Sequence, residues 1–212
     1  MKEPYLLFDF DGTIANSIDL LYQIMNQFAP DYGIDHISEE DFMVIRNMSA
    51  ASVIRLAGIP LYKIPFIIGR VLNVYKKRVH ELEPYPGILA MLKQVRSDGI
   101  GMALLSSNSR HNVVQFLDRH KLHYFDWIEG TSGVLDKQDR IKRQIRKHHL
   151  NPANLIYIGD ESRDIEAAKA CGLKVISVTW GFHPQRLLER YNPDFLVDKP
   201  GQIPEILKGG FF

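Results

Sequence analysis

The 212 residues, 45% apolar and 24% charged, have the make-up of a chain that buries a sizeable core, which excludes a disordered, fibrous or membrane-spanning class. With 26 basic and 25 acidic side chains the net charge is +1, so nothing in the overall balance calls for a polyanion such as nucleic acid, and any bound anion must be held locally. The single cysteine, Cys171, excludes an internal disulfide and fits a cytoplasmic setting.

Met1-Lys2-Glu3-Pro4 leads into only a few apolar residues before Asp9, too few for a signal peptide, and no later run approaches the ~20 residues of a membrane span. The chain as written is therefore expected to be the mature one. Tyr5-Leu6-Leu7-Phe8 predicts a buried strand that ends in Asp9-Phe10-Asp11-Gly12. Residues 15–84 then change character. Ile18, Leu21, Tyr22, Met25 and Phe28 keep helical spacing, as do Ile64, Ile68, Val71, Leu72, Tyr75 and Val79. Between these stretches Ser38 precedes Glu39, Glu40 and Asp41, which predicts a helix with an N-cap serine and acids at the positive end of its dipole. No strand is expected there, and Pro84-Tyr85-Pro86-Gly87 closes the insertion. Short apolar runs then resume at 101–105, 154–158, 174–178 and 195–197, separated by helical patterns. Buried strands alternating with helices predict a parallel sheet covered on both faces.

In such a sheet ligands bind beyond the carboxyl ends of the strands, so polar residues directly after apolar runs are the candidates for chemistry. These are Asp9 and Asp11, Ser107 and Asn108, and Gly159-Asp160-Glu161, with Lys137 in the region between the last two. Strand periodicity would aim Asp9 and Asp11 the same way, and one carboxylate can attack while its neighbour moves protons. An Asp-Gly hairpin turn is the competing reading. Asp160 and Asp164 are expected on one face at a helix start, with helix capping the alternative for Asp164 and Glu161 a possible substitute for it. Asp9, Asp11 and Asp160 gathered together would repel unless a hard cation such as Mg²⁺ sat among them. Ser107 and Asn108 could hold a phosphoryl oxygen, while Ser106 or Ser109 could equally serve as a helix cap. After Lys137, the run Arg140, Lys142, Arg143, Arg146 and Lys147 is read as a solvated basic face.

Asp9-Phe10-Asp11-Gly12-Thr13-Ile14, the Ser107-Asn108 strand end, Lys137 and Gly159-Asp160-Glu161-Ser162-Arg163-Asp164 together resemble the four motifs of the haloacid dehalogenase-like phosphohydrolases. The chain is similar to their phosphoglycolate phosphatase-type branch, whose helical cap is inserted after the first motif. Residues 165–172, 178–182 and 193–198 add to the likeness. The resemblance implies an α/β fold, a doubly wound parallel sheet with an inserted all-helical cap, the core spanning 1–14 and 85–212 and the cap 15–84. It also implies a role for each matching residue. Asp9 would be nucleophile and Mg²⁺ ligand, Asp11 the general acid/base whose backbone carbonyl also meets the metal, and Asp160 the second side-chain ligand. Asp164 would order the metal's outer shell, Ser107 and Asn108 would hold the phosphoryl group, and Lys137 would be the active-site cation, with Lys142 as fallback. Lys137-Gln138-Asp139 departs from the Lys-Pro common in that branch. Arg46 is the candidate cap contact for an anionic substrate group, an exposed structural arginine being the alternative.

The activity implied is Mg²⁺-dependent hydrolysis of a small phosphorylated metabolite, phosphoglycolate-like or a sugar phosphate, through an aspartyl-phosphate, by a monomer or homodimer with no nucleic-acid or membrane partner. A phosphosugar mutase of the β-phosphoglucomutase type is the enzymatic alternative. A phospho-accepting signalling module is the alternative from another class, opposed by the position of Asp9 on the first strand and the insertion after it. Asp11 argues against dehalogenation, because true dehalogenases of the superfamily generally lack an acid there.

Overall fold

The computed structural model describes residues 4–34, 36–48, 50–56, 58, 60–130 and 136–209. Two compact units emerge, a core of Met1–Asn16 with Glu83–Phe212 and a second unit of Ser17–Leu82.

The apolar runs of the core become strands because each residue is wanted on one or other covered face. They are β1 (Tyr5–Phe8), β2 (Gly101–Ser106), β3 (Trp127–Gly130), β4 (Leu155–Gly159), β5 (Lys174–Val178) and β6 (Phe195–Val197). All pairings are parallel, in the order β3-β2-β1-β4-β5-β6. On one face Leu7, Ala103, Leu105, Leu155, Tyr157 and Val175 pack with Ile141, Ile165, Ala168 and Leu188 of the flanking helices. The alternate side chains, Leu6, Phe8, Met102, Leu104, Ile156, Ile158 and Ile176, are just as deeply buried on the other face. Each such aliphatic side chain contributes about 1.5–3 kcal/mol of burial. The helices of the core unit are α5 (Ile88–Ser97), α6 (Arg110–Arg119), α7 (Lys137–Lys147), α8 (Ser162–Lys169) and α9 (Gln185–Glu189) between strands, and α10 (Gln202–Lys208) after β6.

The chain winds outward from β1 through β2 to β3, then crosses back to lay β4 on the other side of β1. Phe8 is in register with Leu104 on one side and Ile158 on the other. The order therefore reverses between β1 and β4, and a crevice opens beyond their carboxyl ends. Strand β3 is absent from the sequence-based expectation, since Trp127-Ile128-Glu129-Gly130 is a half-buried edge without an apolar run.

Among the described residues of the second unit all the regular structure is helical, with α1 (Ile18–Phe28), α2 (Glu39–Arg46), α3 (Ala50–Leu56) and α4 (Ile64–Arg78) as its α-helices and no strand. Ser38 caps α2 as its sequence predicts, its Oγ accepting the Asp41 N–H at 3.0 Å. The buried stripe of α1 is Leu20, Ile24 and Phe28; Phe28 is buried as expected, whereas Leu20 and Ile24 replace the other expected members. Ile18, Tyr22 and Met25 pack instead around a small cluster of Ala29, Ile37 and Phe42. Leu72, expected inside, is 48% exposed, whereas the side chains of Ile64 and Ile68 lie outside the described ones. Among the described residues no helix is long and apolar enough to cross a membrane.

Candidate active site

Asp9 is the first residue past β1, and its N–H continues the ladder by donating to the Ile158 carbonyl at 2.8 Å. The chain then turns sharply, because the Phe10 carbonyl accepts the N–H groups of Thr13, Ile14 and Ala15 at 3.3, 2.9 and 3.0 Å. The Phe10 ring meets Phe116 edge-on with centroids 5.0 Å apart, which ties this turn to α6. Because the strand stops at Phe8, period-two alternation does not place Asp11; that half-buried residue sits in the turn, bridged to Ala15. Gly12 follows with φ +76°, and a Cβ there would fall inside the Asp160 carboxylate. Only glycine combines that backbone with that approach.

The Asp9 carboxylate is buried and shared: Oδ1 accepts the Phe10 N–H at 2.8 Å and Oδ2 accepts Lys137 Nζ at 2.6 Å. Lys137 opens α7, and its Nζ also donates to Asp164 Oδ1 while lying 5.6 Å from the centre of the Tyr157 ring. Burial pulls this ammonium down, but Asp164 and Asp9 outweigh it and hold the group well above the usual lysine range. Lys142 points away as an exposed residue, so Lys137 is the lysine of this cluster.

Asp160 follows β4 directly. Its Oδ1 accepts the Thr13 hydroxyl at 2.9 Å and its Oδ2 accepts the Phe182 N–H at 2.7 Å, so both oxygens are oriented from different loops. A Cβ on Gly181 would also collide with it, so two glycines clear its place. Asp164 both caps and reaches inward. Its Oδ2 accepts the Glu161 N–H at 3.0 Å in a capping box at the start of α8, and its Oδ1 faces Lys137. Glu161 is the other half of that box and is held by Arg163 at 2.6 Å.

Among the described residues, Asp9, Asp160 and Asp164 are the carboxylates close enough to share a cation, with ligand oxygens all within 4.8 Å of one another. Asp11 is not in that set, which corrects the expected gathering of Asp9, Asp11 and Asp160 side chains. Burial, followed by repulsion from Glu161, Asp164 and Asp9, pushes the Asp160 carboxyl well above the carboxylate range. Burial likewise takes Asp164 up to about 6 even against the pull of Lys137. One ammonium does not neutralise three buried carboxylates, and an all-oxygen donor set with excess negative charge fits a hard divalent cation.

At the end of β2, Ser106 is fully buried and its Oγ accepts the Asn108 N–H at 2.9 Å. Ser109, not Ser107, caps α6, accepting the Asn112 N–H at 3.2 Å, and Ser107 is exposed at the loop. Asn108 Oδ1 accepts the Ser109 N–H at 2.9 Å and Asn112 Nδ2 at 3.0 Å, which fixes the amide's orientation. Its Nδ2 is then a buried donor with no protein acceptor. A buried unmatched N–H is costly, so this atom points to a ligand oxygen.

Three features escaped the sequence reading. Arg140 does not lie on a solvated face: Lys137, Arg140, Ile141 and Gln144 are the buried stripe of α7, while Lys142, Arg143, Arg146 and Lys147 are exposed. Their i, i+3, i+4, i+7 spacing was the available signal, hidden because three of the four residues are polar. The second feature is Thr13, which orients Asp160. The third is the loop after β5, where Trp180 Nε1 donates to the Thr13 carbonyl at 3.1 Å and His183 Nδ1 accepts the Ser162 N–H at 3.0 Å. Arg46 lies in the second unit at the end of α2, its guanidinium against Met43 Sδ at 3.2 Å.

Known proteins resemble this chain in sequence and in fold. A phosphoglycolate phosphatase of Synechococcus elongatus is 34% identical over 199 residues, covering 93% of this chain and 94% of that protein. The pyrophosphatase PpaX of Bacillus mycoides is 23% identical over 216 residues, with 98% of each chain covered. Among solved structures, a predicted phosphatase from Clostridium acetobutylicum superposes with a TM-score of 0.83 at 22% identity, covering 99% of this chain and 100% of that one, which establishes the fold. The sequence profile of the haloacid dehalogenase-like hydrolases matches residues 6–178, from β1 through β5. With its aspartates on adjoining strand ends and its profile match across most of its length, the chain belongs to the haloacid dehalogenase-like hydrolase family.

Proposed function

We propose that this chain is a Mg²⁺-dependent phosphatase that hydrolyses a small phosphorylated metabolite through a phosphoryl group carried on Asp9. The single observation that carries this reading is the buried Asp9 carboxylate, hydrogen-bonded to Lys137 and sharing a cation-sized gap with Asp160 and Asp164 at the switch point of the sheet. Asp9 Oδ attacks phosphorus as the ester P–O bond breaks, and the Asp11 carboxyl gives its proton to the departing alkoxide. A water that returns a proton to Asp11 then attacks the same phosphorus, the Asp9–phosphoryl bond breaks, and inorganic phosphate leaves. Lys137 neutralises Asp9 before attack and faces the phosphoryl oxygens during it, and Asn108 Nδ2 donates to one of them. Ser107, exposed beside Asn108, supplies a hydroxyl to the same group.

Asp9, Asp160 and the Asp11 carbonyl would hold Mg²⁺, with Asp164 ordering its surroundings. The metal when bound screens the negative charge that otherwise keeps a phosphate dianion from Asp9. The phosphoglycolate phosphatase relatives favour phosphoglycolate as substrate.

The test is phosphate release from a panel containing phosphoglycolate, hexose phosphates and pyrophosphate, with Mg²⁺ or EDTA. Turnover by the native chain that falls at least about a thousandfold in Asp9→Asn is the expected outcome. Equal turnover by Asp9→Asn, or turnover indifferent to EDTA, overturns the mechanism. Conversion of a sugar phosphate to its positional isomer without phosphate release identifies a mutase instead.

A further inference from the structure

Arg140 is the largest fully buried side chain in the described structure, 2% exposed on the inner face of α7. A buried guanidinium is expensive and is ordinarily matched by a carboxylate. Here the partner is a backbone group: one terminal nitrogen donates to the Ser106 carbonyl, while Nε has no acceptor at all. Salt-bridge partners of the same helix lie elsewhere, Glu129 being taken by Arg143 and Lys147 at the surface. Burial pulls the guanidinium below the usual arginine range, with Tyr157, Asp9 and Glu129 pulling the other way. It stays charged, as arginine does in proteins.

Its one hydrogen bond among the described residues falls on the residue that organises the loop after β2. The Ser106 carbonyl takes Arg140, the Ser106 hydroxyl takes the Asn108 N–H, and Asn108 presents the unmatched Nδ2. Arg140 thus braces the loop after β2, while Lys137, one turn earlier on the same helix, holds Asp9. The charge balance gives the reason for keeping it. Three carboxylates and Lys137 leave a net of about −2, which a divalent cation cancels; a phosphate dianion would then restore the deficit unless another positive charge lay near.

We propose that Arg140 is a positioning residue for phosphoryl binding, a buried cation that fixes the Ser106–Asn108 loop and biases the whole site toward anions without touching them. This rests on the phosphatase reading of the site, and its test separates the two. A buried positive charge must act with opposite sign on the two ions the site takes. Removing it should tighten Mg²⁺ and weaken phosphate, whereas a general loosening of the structure would weaken both.

The experiment is calorimetric titration of the native chain, Arg140→Met and Arg140→Lys with Mg²⁺ alone and then with inorganic phosphate in saturating Mg²⁺, beside thermal melts. In Arg140→Met we expect phosphate affinity to fall about tenfold and Mg²⁺ affinity to rise severalfold, with the melting temperature unchanged or higher, because an apolar side chain of that length suits the buried position. Arg140→Lys should return both constants toward the native values. With substrate, the loss in Arg140→Met should appear mainly in KM. Constants that both weaken, or that both stay put in a folded Arg140→Met, overturn the proposal. Should that variant not fold, Arg140→Gln keeps a donor for the Ser106 carbonyl without the charge, and the same opposed pair of shifts decides. A native chain that binds phosphate and Mg²⁺ but turns nothing over would fail the phosphatase reading while leaving the Arg140 result intact.

Discussion

Among the described residues, both units carry ion pairs at the surface and only the core unit also buries charge. In the core unit Lys137, Arg140, Asp9, Asp160 and Asp164 are buried, and their interactions converge on the ends of β1, β2 and β4. In the helical unit the ion pairs Arg70–Asp31 and Arg78–Glu81 lie at the surface, with side chains of Arg70 and Asp31 about half exposed (52% and 48%). Apolar residues show the reverse: the core hides nearly all of its own, whereas Met43, Val44, Leu56, Tyr62, Phe66 and Leu72 of the helical unit are exposed. A six-stranded sheet covered on both faces can absorb the cost of buried charge, and a few short helices around Ala29, Ile37 and Phe42 cannot. Chemistry that requires desolvated carboxylates therefore resides where the surrounding burial is largest.

The contrast can be broken most forcefully at its ion pairs. Lys137→Met leaves Asp9 and Asp164 buried without their ammonium and should cost about 3–5 kcal/mol in urea unfolding with EDTA present. Arg70→Ala, which frees Asp31 at the surface, should cost under about 1 kcal/mol in the same assay. Similar losses from both would dissolve the distinction.

Glycines sharpen it next. Gly12 and Gly58 both have positive φ, +76° and +62°, yet a Cβ on Gly12 would enter the Asp160 carboxylate and one on Gly58 meets nothing within 4 Å. Gly58→Ala should cost about 1 kcal/mol of backbone strain alone, whereas Gly12→Ala should cost about 2 kcal/mol or more and also weaken Mg²⁺ binding in calorimetry. Unaltered Mg²⁺ affinity in Gly12→Ala would show that Asp160 has room to move.

Acidity gives a smaller effect of opposite sign in the two units. Asp164 is raised by burial from 3.8 to about 6, so its protonated form suits the metal-free fold. That contribution is fully present below about pH 4 and is lost as pH rises through about 6. Glu81 is lowered by its hydrogen bond to Arg78, so its contribution is present at neutral pH and lost on acidification. In EDTA, Asp164→Asn should melt a few degrees above the native chain at pH 7, with the gap closing toward pH 4. A gap that instead grows toward acid would contradict the burial argument. At Ser38→Ala, loss of the α2 cap should cost about 1 kcal/mol in stability and leave Mg²⁺ affinity unchanged.

How much of this was legible beforehand follows from how local each signal is. Five of the six strands could be read from apolar runs: β1, β2, β4 and β5 are almost wholly buried, and β6, although at an edge with Phe195 exposed, keeps the apolar run Phe195-Leu196-Val197. β3 could not, since Trp127 to Gly130 are half-buried at an edge and only β2 beside them makes them a strand. The α2 cap was legible for the same local reason, Ser38 and Asp41 being three residues apart. The register of the buried face of α1 was not, because apolar residues occupy two of its faces.

The amino-acid sequence by itself determined the alternation of strands and helices, the carboxylates and amide at strand ends, and the glycines that let loops close on them. These depend on residue type and short spacing. Tertiary structure alone decided which charges meet: that Lys137 rather than Lys142 faces Asp9, that Asp160 is held between Thr13 and Phe182, and that Arg140 is interior. Those partners lie from 22 to 147 residues apart, and a charge declares itself buried only when the sheet, the helix and the loop around it are all in place.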